Sequence, residues 1–301
     1  MADGKRTRTV AILQALLITL LWSTSFILIK VGLESLSPLL FAGLRYTLAT
    51  LCLLPFALQK APRAALRHLD KGDWRMLLLL GLFLYAMTQG ASFVGLSLLP
   101  AMTISLIFNF TPVLVALLSM AFVSEKPSGM QWLGILFFLV GVVTYFYPVS
   151  WAGDQGIGFM VILGGVVSNA ISVLLGRAIN RDRSIPPILV TTISMGFGAV
   201  LLLTAGLLTQ QVPALGLQSL LILFWLAVVN TAFAFTLWNT TLCTLTAVES
   251  SIINGTMLVQ VALLAWVFLG EALTLQQIAG MLASGLGALA VQLAPASPAK
   301  I

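Results

Sequence analysis

An all-α membrane protein of ten transmembrane helices, arranged as two inverted five-helix repeats, is the fold class that this sequence predicts. Three observations lead there. Of its 301 residues 59% are hydrophobic and 8% charged, against about 25% charged in soluble domains. Apolar runs near the bilayer-spanning length of about 20 residues recur ten times. The chain also echoes itself at an offset of 146 residues: Ala101/Ala247, Ser105/Ser251, Val113/Val259, Phe122/Phe268, Glu125/Glu271, Gln131/Gln277, Gly134/Gly280 and Gly141/Gly287 are matching pairs.

The runs fall at about 10–30, 37–58, 74–95, 100–122, 131–149, 157–177, 186–208, 217–238, 245–269 and 275–293, separated by polar or Gly/Pro breaks. The first follows Lys5, Arg6 and Arg8. It outruns a signal-peptide core and has no small-x-small cleavage site after it, so it reads as an uncleaved spanning helix. Five helices per half give two repeat domains, residues 1–150 (helices 1–5) and 151–301 (helices 6–10). An odd number of helices per repeat turns the second half upside down.

Thirteen of the 15 lysines and arginines lie in segments on one side of the membrane. The positive-inside rule makes that side cytoplasmic and places both termini there. The opposite loops carry the acids Glu34, Asp154 and Glu271. The net charge of +6 is therefore a topology signal, and no nucleic-acid partner is expected. The partners are the lipid bilayer and a small-molecule substrate, with no obligate protein partner evident. Cys52 and Cys243 lie in or beside apolar runs and His68 lies in a charged loop, so no metal site, disulfide framework or cofactor is expected.

Trp22-Ser23-Thr24-Ser25-Phe26 precedes Lys30, Pro38 precedes Arg45, and Pro112 and Glu125 precede Gly134 and Gly141. The second half repeats the ending as Gly270-Glu271, Gly280 and Gly287, whereas Leu258 stands opposite Pro112, so symmetric kinking of helices 4 and 9 is left open by the sequence. In these motifs the chain resembles the EamA-type branch of the drug/metabolite transporter superfamily. The resemblance implies a bacterial inner-membrane protein that exports small metabolites, often amino acids.

Polar side chains at membrane depth are costly and normally face a bundle interior or a water-filled cavity. Counting about 1.5 Å per residue, Trp22, Ser23, Tyr85, Gln89, Asn109, Asn169, Asn230 and Asn254 all lie near the centre of the span and are the candidate substrate-binding residues. Midplane sites between repeats are where secondary transporters bind cargo; the alternative is ordinary interhelical hydrogen bonding. Tyr85 and Gln89 are read as one helix face. Glu249 is the candidate for proton coupling, although Thr246-Ala247-Val248-Glu249 also fits a capping box. Arg45 could attract an anionic group, but reads rather as a structural charge that snorkels or pairs with Glu34; Glu125 and Glu271 read as structural charges holding helix ends. Gly164, Ser168, Ser172 and Gly176 read as one packing stripe, and Gly280, Ser284 and Ala288 as another. Trp74, Trp132, Trp151 and Trp238 read as an interfacial belt.

The expected function is alternating-access transport of small neutral or zwitterionic metabolites, since a midplane poor in fixed charge suits a zwitterion. A multidrug or cation exporter of the same fold is the alternative, through cation–π attraction. An enzyme is not expected: the chain has no His-Glu-x-x-His, Gly-x-Ser-Gly or Walker A pattern.

Overall fold

In a bilayer every backbone polar group must be satisfied within the chain, which leaves helices or closed barrels. The computed structural model describes residues 2–123, 128–148, 153–181, 185–212, 216–242, 244–245 and 253–293. Among them the chain is helical and no strand occurs. In order the elements are α1 (Ala2–Gly32), α2 (Pro38–Ala57), the short α3 (Lys60–Leu66) and α4 (Lys71–Leu98). A fourth span consists of α5 (Ala101–Phe108) and α6 (Thr111–Val123). Then follow α7 (Gly129–Phe146), α8 (Gln155–Arg181), α9 (Pro187–Thr209), α10 (Leu217–Leu242), α11 (Ile253–Leu269) and α12 (Leu275–Leu293). Eight of the helical spans are long and apolar enough to cross a membrane, and α11 is a shorter apolar helix.

Local chemistry sets the helix starts. Asp70 accepts from the Asp73 amide at 2.7 Å while Asp73 returns the contact to the Asp70 amide, a reciprocal cap that opens α4. Ser128 with Gln131, and Thr274 with Gln277, open α7 and α12 in the same way.

Two spans contain π-helical turns, Gly81–Gln89 in α4 and Val228–Phe233 in α10. Shifted by 146, the second falls inside the first. In each a threonine hydroxyl reaches the carbonyl five residues back, Thr88 to Phe83 at 2.7 Å and Thr231 to Leu226 at 2.8 Å. Two spans are also broken. The fourth stops at Asn109–Phe110 and restarts with Pro112 at its second residue, where a missing N–H costs nothing. A turn at Thr256 interrupts α11, so the second break exists without the proline that the sequence reading sought for it.

Glycines place the helices against one another. Between α7 and α12, a Cβ on Gly134 would meet Gly287 O at 2.8 Å, and one on Gly280 would meet Gly141 O at 2.7 Å. The helices are thus antiparallel, and the two echoed glycine pairs face each other crosswise. On α12 the packing stripe holds, with Ser284 and Ala288 buried. On α8 it holds only at its middle, where Ser168 and Ser172 are buried: a Cβ on Gly164 or Gly176 meets nothing within 4 Å, and the close glycine approaches are Gly158 to Leu98 and Leu99, and Gly165 to Ala91. Four-residue spacing alone does not say which glycines lie under a neighbouring helix.

Candidate functional site

Where α1, α2, α4 and α10 meet, the bundle encloses a polar node beside an aromatic row. The α10 π turn presents Asn230 and Thr231, both fully buried. The Asn230 amide nitrogen donates toward Leu21 O (2.6 Å), Ser25 Oγ (2.9 Å) and Thr24 Oγ1 (3.1 Å), all on α1. Thr231 Oγ1 accepts from Arg45 Nε of α2 at 2.9 Å. Arg45 is 4% exposed, and its guanidinium lies 5.4 Å from the Tyr46 ring centre and 5.9 Å from that of Phe93. It neither snorkels nor pairs with Glu34: Thr231 is its hydrogen-bond partner among the described residues, and Glu34 is exposed. Thr231 offered a third choice that depth counting did not consider.

The aromatic row begins at Tyr46 and passes to Tyr85 (5.5 Å between ring centres), Phe235 (6.3 Å), Trp22 (5.2 Å) and Trp238 (5.2 Å). Trp238 therefore packs inward on Trp22 and does not stand in the belt expected for it. Being near a helix end, it matched the belt signal, but α1 covers that end. Trp74 and Trp132 are exposed, and Trp151 lies outside the described residues.

Two fully buried side-chain atoms in this region have no hydrogen-bond partner among the described residues, Trp22 Nε1 and Asn230 Oδ1. They are a donor on α1 and an acceptor on α10, and Trp22 directly follows Leu21, whose carbonyl anchors Asn230. A buried orphan group costs about 1–3 kcal/mol, so both atoms stand out against the satisfied polar groups around them.

The other candidates are placed as follows. Ser23 is fully buried, 2.8 Å from Thr19 O and 2.9 Å from Gln260 Oε1, while Gln260 Nε2 donates to Thr19 and Thr256. Ser23 thus serves a polar seam between α1 and α11, beside Trp22. Asn169 of α8 donates to Thr111 at 3.1 Å, beyond the break where Asn109 bonds Ser105 O. Tyr85 is 2% exposed and Gln89, at the end of the same π turn, is half-buried. Asn254 is exposed on the first turn of α11. Glu249 and Glu125 lie outside the described residues.

Glu271 acts at the far end of the bundle. Its carboxylate accepts from the Ala101 and Met102 amides at 2.8 and 3.1 Å, capping α5, whose N-terminal N–H groups and dipole favour an anion. Lys30 Nζ donates to Leu96 O and Leu99 O at 2.9 and 2.6 Å, so the turn between α4 and α5 is held from both sides.

Thr231, Phe235 and Gln260 escaped the sequence reading. Gln260 carried a usable signal, an amide in the middle of an apolar run. Thr231 and Phe235 carried none, since either residue is ordinary in a span.

Comparison with known proteins adds the family. The chain matches the EamA-like transporter family over residues 9–147 and again over 156–293. This chain belongs to that family. Among its relatives, a Bacillus subtilis protein named as the transporter YvbV is 29% identical over 92% of this chain and 89% of its own length. A Salmonella typhimurium protein named as a probable amino-acid metabolite efflux pump is 27% identical over 88% of this chain and 89% of its own. A Chlamydia trachomatis protein named as an S-adenosylmethionine/S-adenosylhomocysteine transporter is 24% identical over 84% and 80%. A crystal structure at 21% identity covers 94% of this chain and 97% of its own, with a TM-score of 0.66; it shares the fold. The family and the apolar helices make this EamA member an integral membrane protein.

Proposed function

We propose that this EamA protein is a secondary transporter that exports small neutral or zwitterionic metabolites such as amino acids, by alternating access around the node between α1, α2, α4 and α10. The carrying observation is the orphan donor–acceptor pair, Trp22 Nε1 and Asn230 Oδ1, beside an aromatic row in an apolar bundle. An apolar side chain would lie along the row and polar groups would meet Trp22, Asn230 and their neighbours. Tyr85, Gln89, Asn109, Asn169 and Asn254 complete the proposed lining, with Ser23 behind Trp22.

The crosswise glycines of α7 and α12 support a two-fold relation between two five-helix repeats, 1–150 and 151–301, because a two-fold operator makes each partner of a pair meet the other's counterpart. The breaks at Asn109–Phe110 and Thr256 and the two π turns give each half a point that can bend. The basic segments favour an inner-membrane orientation with both termini cytoplasmic. Glu249 is the proposed proton carrier, and Glu125 the counterpart of Glu271 in holding a helix end.

Proteoliposome flux of labelled amino acids, with and without a pH gradient, tests the reading. Saturable flux carries it, faster under an imposed gradient if Glu249 couples. Loss of the gradient effect alone in Glu249→Gln assigns the coupling. The aromatic row favours a second reading, organic cations; against it, the charged group packed on that row among the described residues is the cation Arg45. Faster flux of quaternary ammonium compounds than of amino acids would reverse the order.

A further inference from the structure

Arg45 is the feature that transport of neutral cargo leaves unexplained. A guanidinium offers five N–H donors, and among the described residues Arg45 uses one, Nε to Thr231. No ion pair to it occurs among those residues, and 4% of its surface is exposed. An unpaired charge this deep is unfavourable unless something compensates it. The Tyr46 and Phe93 faces supply part of that compensation, but aromatic faces leave the terminal N–H groups without acceptors.

Position gives the charge a use. Thr231 holds the guanidinium at the α10 π turn, next to Asn230, and Tyr46 begins the row that runs through Tyr85 and Phe235 to Trp22. A ligand with an anionic head at Arg45 would therefore have an aromatic wall for its apolar part and the free Asn230 oxygen near its polar part. A planar fork of donors matches a carboxylate in shape and charge.

We propose that Arg45 is the carboxylate-recognition residue of this site, so that the cargo is a small carboxylate with an apolar or aromatic side chain, of which an α-amino acid is the simplest kind. This rests on the transport reading and adds the chemical group that the cargo must carry. It also changes the role of Arg45 from a structural charge to a specificity determinant.

The test compares acids with their decarboxylated partners, L-phenylalanine with phenethylamine and L-leucine with 3-methylbutylamine, by thermal stabilisation of the purified protein and by proteoliposome flux. The wild type is expected to favour each acid over its amine by roughly tenfold or more, the scale of a lost charge-assisted pair. Arg45→Gln should bring the acid-to-amine ratio to about one, and Arg45→Lys should keep part of it, since it retains charge without the fork. Thr231→Val provides the variant that keeps the charge if Arg45→Gln does not fold: it should lower the acid-to-amine ratio severalfold. A purely structural Arg45 would lower the melting temperature with the ratio intact, and that result overturns the assignment. So does a wild type that moves amines at least as well as acids, an outcome that leaves the transport reading standing. Absence of flux for every compound defeats both.

Discussion

The two π turns occupy matching places in α4 and α10, and each has a threonine that reaches five residues back, at positions that do not correspond under the 146-residue shift, yet the turns are put to different uses. The α4 turn is a packing device. Gly81 and Tyr85 lie so close to α9 that a Cβ on Gly198 would meet Gly81 O at 2.7 Å as well as the Tyr85 Cβ, and Thr88 adds a contact to Gly165 O. The α10 turn is a polar device: Asn230 reaches α1 and Thr231 reaches Arg45. Equivalent backbone geometry is thus no guide to equivalent chemistry. Duplication supplied the bend twice, and side chains made one copy mainly a seam, with Tyr85 lending its ring to the row, and the other the polar node.

Five substitutions break or sharpen that contrast. The largest effect belongs to Gly198→Leu, which drives a side chain into backbone on the packing turn. It should cost about 3 kcal/mol or more, seen as a collapse of the monodisperse peak and melting temperature in detergent, whereas Gly164→Ala, with open space around it, should be within about 0.5 kcal/mol of neutral. A well-folded Gly198→Leu protein would refute the packing role.

Asn230→Ala comes next, and its signature is a split. Stability should fall by about 1–2 kcal/mol, as for a few interhelical hydrogen bonds, while substrate flux falls by an order of magnitude. If flux drops only in proportion to folded protein, Asn230 is glue and not lining. Thr88→Val should cost about 1 kcal/mol through its lost contacts and leave the acid-to-amine preference untouched, in contrast to Thr231→Val. Equal behaviour of the two threonine variants would erase the distinction between the turns. Smallest is Asn254→Ala, which removes an exposed amide and should alter apparent affinity by about twofold without moving the melting temperature. A loss as large as that of Asn230→Ala would move the site toward α11.

Legibility from sequence followed the physics of each feature. The spanning runs were readable because lipid demands some twenty apolar residues wherever a helix crosses. Gly134, Gly141, Gly280 and Gly287 were readable as an echo, but their crosswise contact was not, since an echo names equivalent residues and not touching ones. Trp22, Ser23, Tyr85 and Asn230 stood out by polarity or ring size at mid-depth, and the structure brings them to one region. Asn169 and Asn109 lie at the helix break and Asn254 is exposed, a spread that depth could not show because it says nothing about rotation around a helix. Trp238 shows the same gap: its depth suggested a belt, and its facing direction put it against Trp22.

What the sequence determined by itself was the membrane-spanning helical class, the family and the set of polar residues that lipid could not cheaply hold. Only the tertiary structure decided which of them meet. A π turn adds a residue to a helical turn and so rotates everything beyond it by about 100° relative to a regular α-helix, and nothing in Gly81–Gln89 or Val228–Phe233 announces that insertion. Arg45 finds its partner, Thr231, within the second of these turns.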